Sequence, residues 1–451
     1  MTCKNMPSQP EKAPPIDKSQ MLEARHVIMI AIGGVIGAGF FVGASAAILQ
    51  AGPTVLFTYL LCSLVFLVLG KTFKDLALDS GVQGSFIEHI RHLLGPIAGF
   101  ASGWAYWAVW LIILTAQLIA GAAMLGPILH LPYLVICYGL LAIMSGVNLL
   151  SVRMYGNLEY WFSLLKVSAL VIFILLGVTL LIAGAFGVTT PVPVSENMFG
   201  HQGFAPFGWL AVLALAPTVF TGMTGIEIVS VAAQETHTPE EMVGSLASKL
   251  GMWIGIIYFF SVALVLCFIP WDSLNMTRSP FLTVLDYLHI PYAEQAFWLV
   301  IMVVIFSTLN SSLFVASRIL KEMALTEAAP DFLSSGKGAN VPARSVTCVS
   351  LAAFLLVTLS QQFPAGFFAT LLGVSGIFII FVYGLSIVAA MRMRKKLSIL
   401  GLLAILFMAL VPLCMALSPQ TLGQALWGMG GLAFFLITGF CVNTLQSAKK
   451  A

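Results

Sequence analysis

Two ionisable side chains stand where the chain is otherwise apolar, and both are of a type that does chemistry. Lys166 interrupts the run LLKVSALVIFILLGV, and Glu227 interrupts TGMTGIEIVSV. A charged group among apolar residues of this length is expensive, and by default it marks a path for protons, ions or substrate. Each also has a plainer reading. Lys166, a few residues inside its run, could snorkel to an interface or be a buried amine that titrates. Glu227 could be a structural carboxylate hydrogen-bonded to neighbouring segments. Gly222 and Gly225 lie beside it, and a denser cluster, Gly33, Gly34, Gly37, Gly39 and Gly43, breaks the first apolar run. Such glycines let helices pack closely. They also let a helix unwind and leave backbone N–H and C=O groups free, which a membrane tolerates only where the backbone lines a cavity. The cluster is not a phosphate loop, because no Gly-Lys-Ser/Thr follows it.

Other reactive residue types form no constellation. The histidines at 26, 89, 92, 130, 201, 237 and 289 lie mostly in loops or at the ends of apolar runs, and no pair has metal-ligand spacing with a buried carboxylate. Seven cysteines are scattered without a C-x-x-C. No Ser/His/Asp or Cys/His group falls inside an apolar run. No metal, no cofactor and no enzymatic activity are therefore assigned. Trp104, Trp107 and Trp110 share one helical face and read as packing or an interface belt. Gly95, Gly99 and Gly103 read as a packing seam.

The elements that must position these residues are membrane helices. Of 451 residues, 59% are hydrophobic and 9% charged, against about 25% charged in a soluble domain. That excludes an ordinary soluble enzyme and also a disordered chain. A net charge of +3 without a basic, aromatic-interleaved run gives no footprint for nucleic acid. The stretches without Asp, Glu, Lys or Arg are 26–70, 92–152, 167–195, 197–226, 250–271, 295–317, 345–391 and 397–448. A spanning helix needs about 20 apolar residues. Turn signals at Ala51-Gly52-Pro53, Gly126-Pro127 with Pro132, Gln361–Pro364 and Ser418-Pro419 divide four of the stretches, so twelve spans are expected. With both ends inside, the tails and internal loops 71–95, 150–160, 234–249, 318–344 and 391–397 hold 19 of the 21 Lys and Arg. Positive residues mark the cytoplasmic side. The expected chain is thus a multi-pass protein of the cell membrane with cytoplasmic termini and no signal peptide. The interrupted spans are numbers one and six of twelve, and breaks at matching places in two halves point to an inverted-repeat transporter. The expected units are a tail at 1–25, a first repeat at 26–184, a second at 207–391, two further helices at 397–445 and a tail at 446–451.

Four motifs in order carry a family resemblance over residues 25 to about 390. The first span holds Arg25, Ile30, Ala31, Gly33, Gly34, Ile36, Gly37, Gly39, Phe41 and Gly43. The fifth opens with Gly156, Glu159, Trp161, Phe162 and Lys166. The sixth holds Gly225, Ile226, Glu227, Ile228, Val229, Ala233 and Glu235. After the eighth come Asn310-Ser311, Ser317-Arg318, Leu320, Ala329-Pro330 and Val341-Pro342. With these the chain resembles the amino acid–polyamine–organocation (APC) superfamily, and within it the bacterial amino acid transporter family. It departs from the family pattern in three places. Gln117 stands in Ala116-Gln117-Leu118 where many relatives have a carboxylate. Met223 replaces the usual aromatic four residues before Glu227. Leu325-Thr326-Glu327-Ala328 lacks the usual glycine.

The resemblance implies an all-α integral membrane protein with a LeuT-like arrangement of five plus five inverted helices and two C-terminal helices. It implies substrate carboxylate binding at Ile36, Gly37, Ala38 and Gly39, in keeping with the anion affinity of helix N-termini. It implies an ammonium and side-chain site at Phe220, Thr221, Met223, Thr224 and Gly225. Lys166, Glu227 and Ser311 are the coupling candidates, with Lys166 taking the place of a sodium ion. The expected lining is mostly glycine, threonine, methionine and phenylalanine. The expected function is therefore proton-coupled uptake of a neutral, apolar (branched-chain or aromatic) L-amino acid. Sodium coupling, exchange of another amino acid (cationic or D-), and an amino-acid sensor are the alternatives. The partners implied are the amino acid, a proton or sodium ion and the bilayer; nothing in the sequence sets an oligomeric state.

Overall fold

The computed structural model describes residues 33–41, 43–77, 82, 84–150, 152–188, 192–228, 239–276, 278–334, 341–362 and 367–450. The tail expected at 1–25, with Arg25, Ile30 and Ala31, lies outside them, as do Val229, Ala233, Glu235 and Ala451. The described residues form helices and no strands. In order these are α1 (Ala38–Phe41), α2 (Gly43–Ala51), α3 (Val55–Ala77), α4 (Phe86–Leu94), α5 (Pro96–Leu129), α6 (Tyr133–Leu150), α7 (Val152–Ala185) and α8 (Leu210–Ala214). They continue as α9 (Ala216–Met223), α10 (Pro239–Phe268), α11 (Pro280–Tyr287), α12 (Ala293–Leu325), α13 (Ala343–Ser360), α14 (Phe367–Arg394), α15 (Ile399–Leu417) and α16 (Leu422–Lys450).

Nine helical segments among the described residues are long and apolar enough to cross a membrane. Two shorter apolar helices, Tyr133–Leu149 and Leu210–Met223, join them. Leucines that would be a liability in water, such as Leu175, Leu403 and Leu406, stand exposed on the outer faces, where lipid satisfies them as well as protein does. With no water to serve backbone groups, helices that bond internally are the only open-ended solution. The helix ends follow local chemistry. Pro96 occupies the first turn of α5, where its missing N–H costs nothing. The Ser85 hydroxyl accepts from the Ile87 amide at the start of α4, and the Ser398 hydroxyl from Gly401 at the start of α15.

The most apolar stretch of α12 is 78% buried and that of α16 only 17%, so α12 is central and α16 peripheral. Around α12 pack α5, α7, α6 and α13. The helices run past the limits that charge spacing set. α3 continues to Ala77, so Lys71, Lys74 and Asp75, expected in a loop, are helical. α12 continues to Leu325, which takes Arg318 and Glu322 into the helix. α7 begins at Val152, so Glu159, expected at a loop edge, lies two turns inside.

Candidate functional site

The first glycine cluster interrupts its helix over two residues. Residues 33–35 are helical, Ile36 and Gly37 are not, and helix resumes at Ala38. Of the four positions expected to be unwound, Ile36 and Gly37 are, while Ala38 and Gly39 already belong to the next turn. The amides opening that turn have no acceptor within the helix, as at any helix start. The Gly37 amide turns back to Val35 O at 3.0 Å, and the Phe40 amide donates to Gly37 O at 3.1 Å.

The second interruption begins later than expected. Phe220, Thr221 and Met223 are the buried closing turns of α9. Thr224 is extended (φ −61°, ψ 140°), and a turn runs through Gly225 to Glu227. Gly225 has φ +134°, a conformation that side chains resist. Space demands glycine there as well: a Cβ would stand 2.5 Å from the Gly34 carbonyl carbon. A second approach joins Gly39 to Gly222, where a Cβ on Gly39 would lie 3.3 Å from the Gly222 Cα. The two interruptions therefore touch through glycine backbone. Tyr258 of α10 joins them again, its hydroxyl 2.9 Å from Val35 O and 3.2 Å from Gly222 O. Its ring stacks on Phe40 with centroids 3.5 Å apart.

Lys166 does not snorkel. Its Nζ donates to Gly33 O at 2.6 Å and to Glu159 Oε1 at 3.4 Å, with both side chains fully buried. Glu159, Ser163 and Lys166 share one face of α7, and the Ser307 hydroxyl donates to the same carboxylate oxygen from α12. Glu159 Oε2 has no partner. A Cβ on Gly33 would fall 1.8 Å from the Ser163 hydroxyl and 2.5 Å from Glu159 Oε1, so a larger residue there would displace the side chains around the ion pair. Ser311, the expected coupling residue, is buried one turn further along α12, and the hydroxyls of Ser163 and Ser307 both donate to Glu159 Oε1.

Glu227 is the second fully buried carboxylate. The Tyr106 hydroxyl of α5 donates to Oε1 at 3.0 Å and the Tyr383 hydroxyl of α14 to Oε2 at 2.5 Å. The Gly225 amide adds a third bond at 3.2 Å. Glu227 thus ties the turn to two helices. Thr221 is held by α14 as well, donating to Leu372 O at 2.8 Å. Phe220 packs among Phe66, Tyr383 and Phe407.

A narrow cavity of about 10 Å³ lies between the interruptions, room for one water at most. Gly37, Gly39, Gly222 and Thr224 form its backbone walls, while Trp110, Ile113 and Gln117 face it from α5 and Thr308 from α12. Gln117 is fully buried, and neither its Nε2 nor its Oε1 has a partner. Met223 and Phe220, expected to frame the pocket, are buried but do not line this cavity. Sequence reasoning missed Glu159, Tyr258, Trp110 and Thr308 as site residues. Only Glu159 carried a signal, its seven-residue spacing to Lys166 on one helical face.

Comparison with known proteins identifies the family. Residues 26–441 match the family model described as amino acid permease. The chain is 33% identical over 377 residues to the gamma-aminobutyric acid permease of Bacillus subtilis (strain 168), covering 83% of this chain and 80% of that one. It is 35% identical over 385 residues to a probable GABA permease of Pseudomonas aeruginosa (84% and 80% covered). It is 31% identical over 380 residues to the L-asparagine permease of Salmonella typhimurium (82% and 75% covered).

Proposed function

The chain belongs to the amino acid permease family, and from that premise we propose that it is a secondary active transporter that carries an amino acid across the cell membrane by alternating access, coupled to protons. The observation that carries this reading is the cavity at the contact of two interrupted helices. The substrate carboxylate goes to the first-turn amides after Gly37, where the partial positive charge of a helix start favours an anion. The ammonium goes to carbonyls at the same junction, of which Val35 O and Gly222 O are the ones Tyr258 holds. The side chain extends toward Trp110, Ile113 and Gln117. Opening the walls is required, because the cavity is too narrow for any amino acid. In this reading the helices form twelve spans with five plus five in inverted repeat, and both termini are cytoplasmic.

The substrate is neutral. Lys166 and Glu159 neutralise one another as an ion pair beside Gly33, and Glu227 is held by Tyr106, Tyr383 and the Gly225 amide, so no net charge is left over for a charged side chain. An apolar preference finds no support: relatives are named for gamma-aminobutyric acid and L-asparagine, and the unpartnered Gln117 amide favours a substrate with a hydrogen-bonding group. The Lys166 ammonium on Gly33 O occupies the kind of carbonyl site a small cation uses, which favours protons over sodium as the coupling ion. Counterflow uptake into proteoliposomes, with each of the twenty amino acids and gamma-aminobutyric acid as competitors at two pH values, tests the reading. One or a few neutral, polar amino acids should compete. Competition by none, or by branched-chain amino acids alone, would overturn it.

A further inference from the structure

A lateral groove of about 790 Å³ opens between α3, α14 and α15, away from the substrate junction. Most of its length is apolar. Leu64, Leu400 and Leu403 are each more than half exposed along it, and Phe407 closes its inner end. Its other end is charged. Lys71 and Asp75 come from α3, Arg394 from the end of α14, and Lys396 from the turn into α15. Arg394 is paired with Asp75, so those two charges cancel. Lys71 and Lys396 remain, both exposed, and give that end of the groove a positive excess.

We propose that this groove binds an anionic phospholipid, its phosphate between Lys71 and Lys396 and one acyl chain along Leu64, Leu400 and Leu403. The pattern matches no smaller anion, since a free phosphate would leave the apolar walls uncovered. It discriminates against a zwitterionic lipid too, whose own ammonium would be brought to the lysines. Basic pockets between spanning helices recognise headgroups in this way, through charge at one end and chain contact along the rest. The occupant would wedge α15 against α3, on the helix that also packs beside α14 and its Tyr383.

Native mass spectrometry of the purified full chain, with chain-matched phosphatidylglycerol and phosphatidylcholine added in equal amounts, tests this. One phosphatidylglycerol should be retained roughly thirtyfold more than phosphatidylcholine, as expected for two lysines near a headgroup. Lys71→Gln with Lys396→Gln should abolish the preference, and Leu403→Trp, which fills the groove without altering charge, should release the lipid. Lys74→Gln with Arg392→Gln, the same charge loss outside the groove, should leave it intact. Equal retention of the two lipids by the unaltered protein would overturn the proposal without recourse to any variant. So would an equal loss in the control pair, which would mean diffuse surface charge, or displacement by soluble glycerol phosphate, which would mean a headgroup site alone.

Discussion

Gly225 packs onto Gly34 so closely that a Cβ on it would lie 2.5 Å from the Gly34 carbonyl carbon. This contact connects the buried Lys166–Glu159 pair to the buried Glu227. Lys166 donates to Gly33 O on one side of it, and Glu227 accepts from the Gly225 amide on the other. A proton gained or lost at either charge is thus one backbone contact away from the partner helix. Packed interfaces tend to switch between discrete arrangements rather than deform continuously, which is what the proposed alternating access requires.

Gly225→Ala should disrupt the junction. The substitution brings a Cβ into both a disfavoured φ and occupied space, at a cost of about 1–3 kcal/mol for the backbone alone. Uptake should fall at least tenfold while the protein still inserts, as judged by monodisperse elution. Thermal unfolding should begin lower than in the unaltered protein.

Lys166→Met should be more harmful than its double mutant with Glu159→Leu. Removing one partner of a buried ion pair leaves an uncompensated charge, costing about 3–5 kcal/mol, whereas an apolar replacement of both is often neutral. Thermal stability should drop in the single mutant and recover in the double. Both should exchange substrate down its gradient and fail to accumulate it.

Tyr383→Phe and Tyr106→Phe each remove a donor to Glu227. A hydrogen bond to a charged group contributes about 1.5–3 kcal/mol, and the bond from Tyr383 is the shorter at 2.5 Å against 3.0 Å. The Tyr383 variant should be the less stable of the two by thermal denaturation. The pair should be non-additive in a double-mutant cycle, since both donors serve one carboxylate.

Gln117→Leu should redirect specificity rather than abolish transport. A site that loses a buried hydrogen-bonding group discriminates less against substrates lacking the matching group. Competition by polar amino acids should weaken about tenfold or more, with apolar ones unchanged or improved. A uniform loss across all competitors would show that Gln117 supports the fold and does not read the substrate.

The glycine clusters, Lys166 and Glu227 were legible in the sequence because polar or flexible residues stand out against an apolar run. Glu159 was not. Gaps between charges delimit spans only where charges stay in loops, so a buried carboxylate beside its lysine looks like a boundary, as do Arg318 and Glu322 inside α12. Tyr258 was invisible for another reason. A tyrosine in an apolar helix is ordinary, and its contact with Val35 spans 223 residues of chain. The position of the second break shifted to Thr224 because Pro217 to Met223 pack as helix against α14, where Thr221 bonds to Leu372. Local glycine content alone does not say which turn gives way.

The most direct test is accumulation of a labelled neutral amino acid, chosen by counterflow, in proteoliposomes given an inward proton gradient or an inward sodium gradient. Accumulation above equilibrium with the proton gradient alone, abolished by Lys166→Met with Glu159→Leu, is the result this account requires. Accumulation that follows sodium and ignores the proton gradient would contradict it.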